Sequence, residues 1–147
     1  MKITKFVLKT NRVALIFFST ILILFITSCG RKLSFKPSTI VPGAEGTVSI
    51  KTDENKNYRI KLKIFNLAEP NKLEYPGKLY IVWMQNDQNS ISNLGQIKTS
   101  SSSFSKSLKA SFQTVSSFKP VKIFITAEQE SNILTPSRII ILTTDRL

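Results

Sequence analysis

The chain has 147 residues, with 21 Lys or Arg against nine Asp or Glu, a formal net charge of +12, one cysteine and no histidine. Ser-His-Asp and Cys-His catalysis are therefore excluded, as are zinc centres built on His or on several Cys. Carboxylate-pair, Lys or Tyr chemistry is all that is left, and the acids are scattered, so the expectation is a non-enzyme without cofactor or metal.

Taken in order, the chain opens on an address. Lys2, Lys5, Lys9 and Arg12 precede an uncharged stretch from Val13 to Thr27, with no acid in either part. A basic n-region before a short apolar h-region is the pattern of a secretory signal. The run is short for a spanning helix, which needs roughly 20 apolar residues. It ends in Ile26-Thr27-Ser28-Cys29, which resembles the lipobox of bacterial lipoproteins: a branched apolar residue, two small residues, then cysteine. The resemblance implies cleavage between Ser28 and Cys29 and acylation of Cys29. It also accounts for a lone cysteine in an exported chain, which cannot form an internal disulfide. Two or more acyl chains, at about 0.8 kcal/mol per buried CH₂, make a stable anchor where one does not.

Removing residues 1–28 takes four of the 21 basic residues and none of the acids, leaving +8 on 119 residues. That length suits one domain, large enough to bury roughly two-thirds of its surface without disulfides. The charge points to anionic envelope surfaces: phospholipid head groups, lipopolysaccharide or acidic cell-wall polymers. Nucleic acid would fit the charge alone, but not the address. Residues 29–43 read as a lipidated tether, solvated, with Arg31, Lys32 and Lys36 lying against the membrane.

From residue 44 to 147 the text reads as strands of a single domain. Thr47 to Ile50 alternates, Asp53 to Asn57 is a turn, and Tyr58, Ile60, Leu62 and Ile64 alternate with Arg59, Lys61 and Lys63. Leu79 to Met84 is apolar on both faces, hence central. Leu94 to Ile97 reads as a short edge strand with a bulge at Gly95. Phe104, Leu108, Ala110 and Phe112 share one face of a half-exposed strand. Val121 to Thr126 is a buried strand, Glu128 to Thr135 a loop, and Ile139 to Leu142 the last strand. Seven strands result, at 47–52, 57–65, 79–85, 93–98, 104–112, 121–127 and 138–144. The fold class expected is an all-β, immunoglobulin-like antiparallel β-sandwich, with a closed barrel as the alternative. Trp83 falls in the third strand, where immunoglobulin domains often keep a core tryptophan.

Three features bear on function. The basic ladder Arg59, Lys61, Lys63, extended by Lys51 and Lys122, is either the wet face of a sheet or a contact for an anionic surface. Tyr80 and Trp83 read as packing aromatics. Glu128 and Glu130 read as solvated loop acids and not as a glycosidase pair. Tyr80-Ile81-Val82-Trp83-Met84 followed by Asn93-Leu94-Gly95-Gln96-Ile97 resembles a segment of the extracytoplasmic domain of anti-sigma-K factors. That resemblance implies a shared envelope-side fold. Those regulators carry a cytoplasmic sigma-binding domain, whereas only 12 residues precede the apolar run.

The expectation is a lipid-anchored envelope protein with a binding or structural role. Its partners would be the membrane and another envelope protein or anionic polymer. A sensor or accessory subunit of an envelope signalling system is the alternative. Gly30 stands where an Asp retains lipoproteins of diderm bacteria in the inner membrane, so the resemblance implies the periplasmic face of the outer membrane.

Overall fold

The computed structural model describes residues 31–100 and 109–147. The signal segment and Ser28 and Cys29 lie outside the described residues, as do Phe104 and Leu108. Eight strands are formed: β1 (Arg31–Ser34), β2 (Glu45–Thr52), β3 (Tyr58–Phe65), β4 (Leu79–Asn86), β5 (Ile91–Ser100), β6 (Lys109–Ser116), β7 (Pro120–Glu128) and β8 (Ile140–Thr143). All pairs are antiparallel, in the order β1-β2-β3-β6-β5-β4-β7-β8. One layer holds β1, β2, β3 and β6, and the other holds β5, β4, β7 and β8. The result is a β-sandwich of immunoglobulin-like strand order with one extra strand at its edge.

Side-chain chemistry explains the turns. Asp53 Oδ1 accepts from the backbone N–H of Asn55 and Asn57, which closes the β2–β3 hairpin while Lys56 takes φ 64°. Asn86 Oδ1 does the same for Gln88 and Ser90, with Asn89 at φ 62°. Asn tolerates this left-handed conformation as a single turn position, and at Lys56 the turn is closed by its N–H donating to the Asp53 carbonyl at 3.0 Å.

Two expectations are corrected. The strand around Leu94 is not an edge. It runs ten residues, pairs with β4 along Ile91 to Ile97, then crosses to β6 through Lys98 to Ser100. The bulge at Gly95 is real: Val82 faces Gly95 and Trp83 faces Asn93, so Leu94 is the extra residue, and Gly95 sits at φ +127° where a Cβ would be strained. The stretch read as a solvated tether is also built into the fold. β1 pairs with β2 over four residues, and Phe35, Ser38 and Val41 are buried.

The main core lies between the layers. It gathers Val48, Ile60, Leu62 and Ile64 from one sheet and Tyr80, Val82, Met84, Ile123 and Ile125 from the other. Full burial of each such aliphatic side chain is worth about 1.5–3 kcal/mol, which replaces the absent disulfide. Tyr80 is 1% exposed, and its hydroxyl donates to the carbonyl of Ala68 at 2.9 Å. Burial disfavours the phenolate and pushes its pKa up to about 12 from 10. The unfolded chain releases this proton first, so stability is full below pH 10 and falls as pH rises towards 12. The loss is about 3 kcal/mol at 1.36 kcal/mol per unit. Denaturant midpoints from pH 9 to 12 check this; Tyr80→Phe should flatten that part of the fall.

Candidate anion-binding face

The ladder on β3 is positioned by period two. Ile60, Leu62 and Ile64 are buried, so Arg59, Lys61 and Lys63 must point to the outer face, and all three are exposed. Register then sets their neighbours. Lys51 lies opposite Arg59, which lies opposite Val115. Ser49 lies between Lys32 and Lys61, and Gln113 follows on the far side. Thr47 lies between Ser34 and Lys63, with Ser111 beyond. Glu45 faces Phe65, which faces Lys109. This face thus carries Lys32, Lys51, Arg59, Lys61, Lys63 and Lys109 against one acid, Glu45, at a corner. A shallow depression of about 250 Å³ is lined by Lys61, Leu62, Lys63, Ser111, Phe112 and Gln113. Ammonium, hydroxyl and amide donors converge there, a set suited to anionic oxygens.

The energetics of the face are unfavourable on their own. Like charges placed directly opposite across a strand pair are destabilising, and Lys51 stands opposite Arg59. Two ion pairs lie away from this face, Lys36 with Asp145 at 2.5 Å and Lys72 with Glu69 at 3.2 Å. Lys36 is thereby separated from the ladder, since it faces the C-terminal end of β8. Both partners are more than half exposed, so the pair is worth at most about 1 kcal/mol. Arg31 lies opposite Ile50 in β1, out of register with the outward row. Lys122 belongs to the other sheet, opposite Gln85, and does not extend the ladder. Lys109 was not among the expected cations, although the alternation Lys109, Ser111, Gln113, Val115 marks it as outward.

The second sheet's outer face is closed by the protein itself. β4 buries its odd-numbered residues there, Ile81 and Trp83, against Phe124 of β7. Trp83 is fully buried, but outside the space between the sheets where an immunoglobulin tryptophan was expected. Its ring stacks on Phe124 at 6.3 Å and 13°, and its Nε1–H donates to Thr126 Oγ1 at 2.8 Å. Thr126 Oγ1 donates in turn to Glu128, which also accepts from the backbone of Ser137. Asn93 Nδ2 donates to the carbonyls of Ser131 and Ile133, holding the β7–β8 loop over the tryptophan. Glu128 is therefore a buried structural acceptor, contrary to the expectation of a solvated loop acid, while Glu130 is exposed.

No family, curated protein or solved structure matches this chain. The residues that carry the resemblance to anti-sigma-K factors form the paired strands β4 and β5, where Tyr80, Val82, Met84 and Ile97 pack in the main core. Among the described residues no group of His, Cys, Asp and Glu could hold a metal, and no helix is long and apolar enough to cross a membrane.

Proposed function

We propose that the chain is a bacterial lipoprotein, cleaved after Ser28 and acylated at Cys29, whose β-sandwich has a non-enzymatic binding or structural role in the cell envelope. The observation that carries this reading is the lipobox-like Ile26-Thr27-Ser28-Cys29 behind a basic and then uncharged segment, holding the only cysteine. The cationic face supports an anionic envelope component as partner. In a host with two membranes, Gly30 directs the protein to the periplasmic side of the outer one.

The experiment is metabolic labelling with palmitate. Label should enter the wild-type protein, and Cys29→Ala should abolish it and leave a precursor 28 residues longer than the mature form, as the sequence before Cys29 dictates. Full labelling of Cys29→Ala would overturn the assignment. Density-gradient fractionation with protease treatment of intact cells tests the membrane side: recovery in the inner membrane, or digestion in unbroken cells, would move the protein elsewhere.

A further inference from the structure

We propose that the outer face of β1, β2, β3 and β6 lies flat on anionic phospholipid head groups of the membrane that holds the anchor; this rests on the lipoprotein reading. Four observations lead there.

The first is the shape of the charge. Arg59 to Lys63 spans about 14 Å along β3, and four strands at about 4.8 Å spacing extend the cations as far sideways, from Lys32 to Lys109. A linear polyanion would meet one line of cations, whereas a lattice of head groups meets the whole square. The separations are comparable with the ~8 Å Debye length at physiological salt, so the charges act together.

The second is the leash. Cys29 stands two residues before Arg31, a reach of about 7 Å at most. Arg31 lies beside Ile50, next to the row Lys51, Arg59, Val115. Because residues 31–42 are not a free tether, an anchor at Cys29 has no length with which to hold the domain away from the bilayer. Arg31, two residues on, stands in the strand at the edge of this sheet.

The third is apolar exposure at that same end. Val115 is 52% exposed beside Arg59. Phe118 is 53% exposed just past β6, held by its backbone N–H donating to Ser116 Oγ. Apolar side chains set among basic ones suit the boundary between head groups and acyl chains.

The fourth is the other side of the molecule. The β7–β8 loop already covers the opposite sheet over Trp83, through Ile133. The cationic face has no such cover among the described residues.

The test uses the full chain, reconstituted in vesicles of phosphatidylcholine alone or mixed with phosphatidylglycerol, and a water-soluble amine-acylating reagent read by mass spectrometry. Labelling of Lys61 and Lys63 should fall about fivefold on the anionic vesicles, the factor that about 1 kcal/mol of attraction per lysine corresponds to. It should recover in 1 M salt, where the Debye length is about 3 Å. Lys78 and Lys122, on the side of the other sheet, should label equally on both. Equal labelling of Lys61 and Lys63 on the two vesicle types would overturn the docking. So would protection by soluble poly(glycerol phosphate) without protection on vesicles, which would assign the face to a polymer. The same spectra report the mass of the peptide carrying Cys29. An acylated Cys29 with unprotected lysines overturns the docking and leaves the lipoprotein reading standing. An unmodified Cys29 overturns that reading, and lysine protection then judges the docking separately, because the uncleaved apolar segment still holds the chain on the vesicle.

Discussion

Trp83→Ala is expected to lower the unfolding free energy by about 3–5 kcal/mol, read from denaturant midpoints followed by circular dichroism. The cost is high because the indole organises a whole second cluster. It fills the space between β4 and the β7–β8 loop, stacks on Phe124 and supplies the donor for Thr126 Oγ1. Removing it leaves a cavity lined by Ile81, Phe124 and Ile133, and takes one partner from a buried polar chain that runs through Thr126 to Glu128. Against a total of roughly 5–15 kcal/mol for a domain, that leaves little stability in reserve. Trp83→Phe isolates the polar part: the ring can still stack, and the loss of one hydrogen bond should cost about 1 kcal/mol beyond the smaller volume. Wild-type tryptophan emission should be blue-shifted and move red only with global unfolding. An alanine variant with the wild-type midpoint would show that the loop closes over the gap at no cost.

Much of this architecture was readable in the residues. Alternation on β3 fixes its inner and outer faces, because a two-residue period admits only one choice once Ile60, Leu62 and Ile64 go inward. Asp53 and Asn86 mark their hairpins through side-chain acceptors that sit within the turn itself. The errors lie where the deciding partner is distant in sequence. Leu94-Gly95-Gln96-Ile97 looks short and peripheral by itself; it is central because Lys98 to Ser100 find β6. The apolar run of β4 shows burial on both faces, yet nothing local says that Trp83 is covered by a loop some 50 residues later and not by the facing sheet. Glu128 looks solvated until Ser137 and Thr126 supply its donors. The candidate face was half legible for the same reason. Arg59, Lys61 and Lys63 are visible as a ladder, but Lys32, Lys51 and Lys109 join them only through register.

Phe35→Ala should cost about 3–5 kcal/mol and, more tellingly, release the first strand. Residues 31–42 carry two prolines and six polar or basic residues that give no periodicity, so local sequence does not hold them in place. A few long-range contacts do. Phe35 is buried to 8% exposure, its N–H donates to the Gly46 carbonyl at 3.0 Å, and the next N–H, of Lys36, donates to the Thr143 carbonyl of β8 at 2.8 Å. The segment thus ties the edge of one sheet to the edge of the other. Gly46 makes room for the ring: a Cβ there would lie 2.9 Å from Phe35 and 3.0 Å from the Lys63 carbonyl. Gly46→Ala should therefore cost about 1–3 kcal/mol by overpacking, in the same direction as the loss of the ring. In Phe35→Ala, hydrogen exchange at β1 should rise before exchange at β3, because among the described residues β1 has only β2 as a strand partner while β3 lies between β2 and β6. The consequence for the membrane follows from the leash. A freed β1 lengthens the tether from two residues to about a dozen, and Lys61 and Lys63 should then label more readily on anionic vesicles while the chain stays bound. Unchanged exchange at β1 in Phe35→Ala would show that the ladder with β2 alone positions the anchor, and that the aromatic ring is dispensable to it.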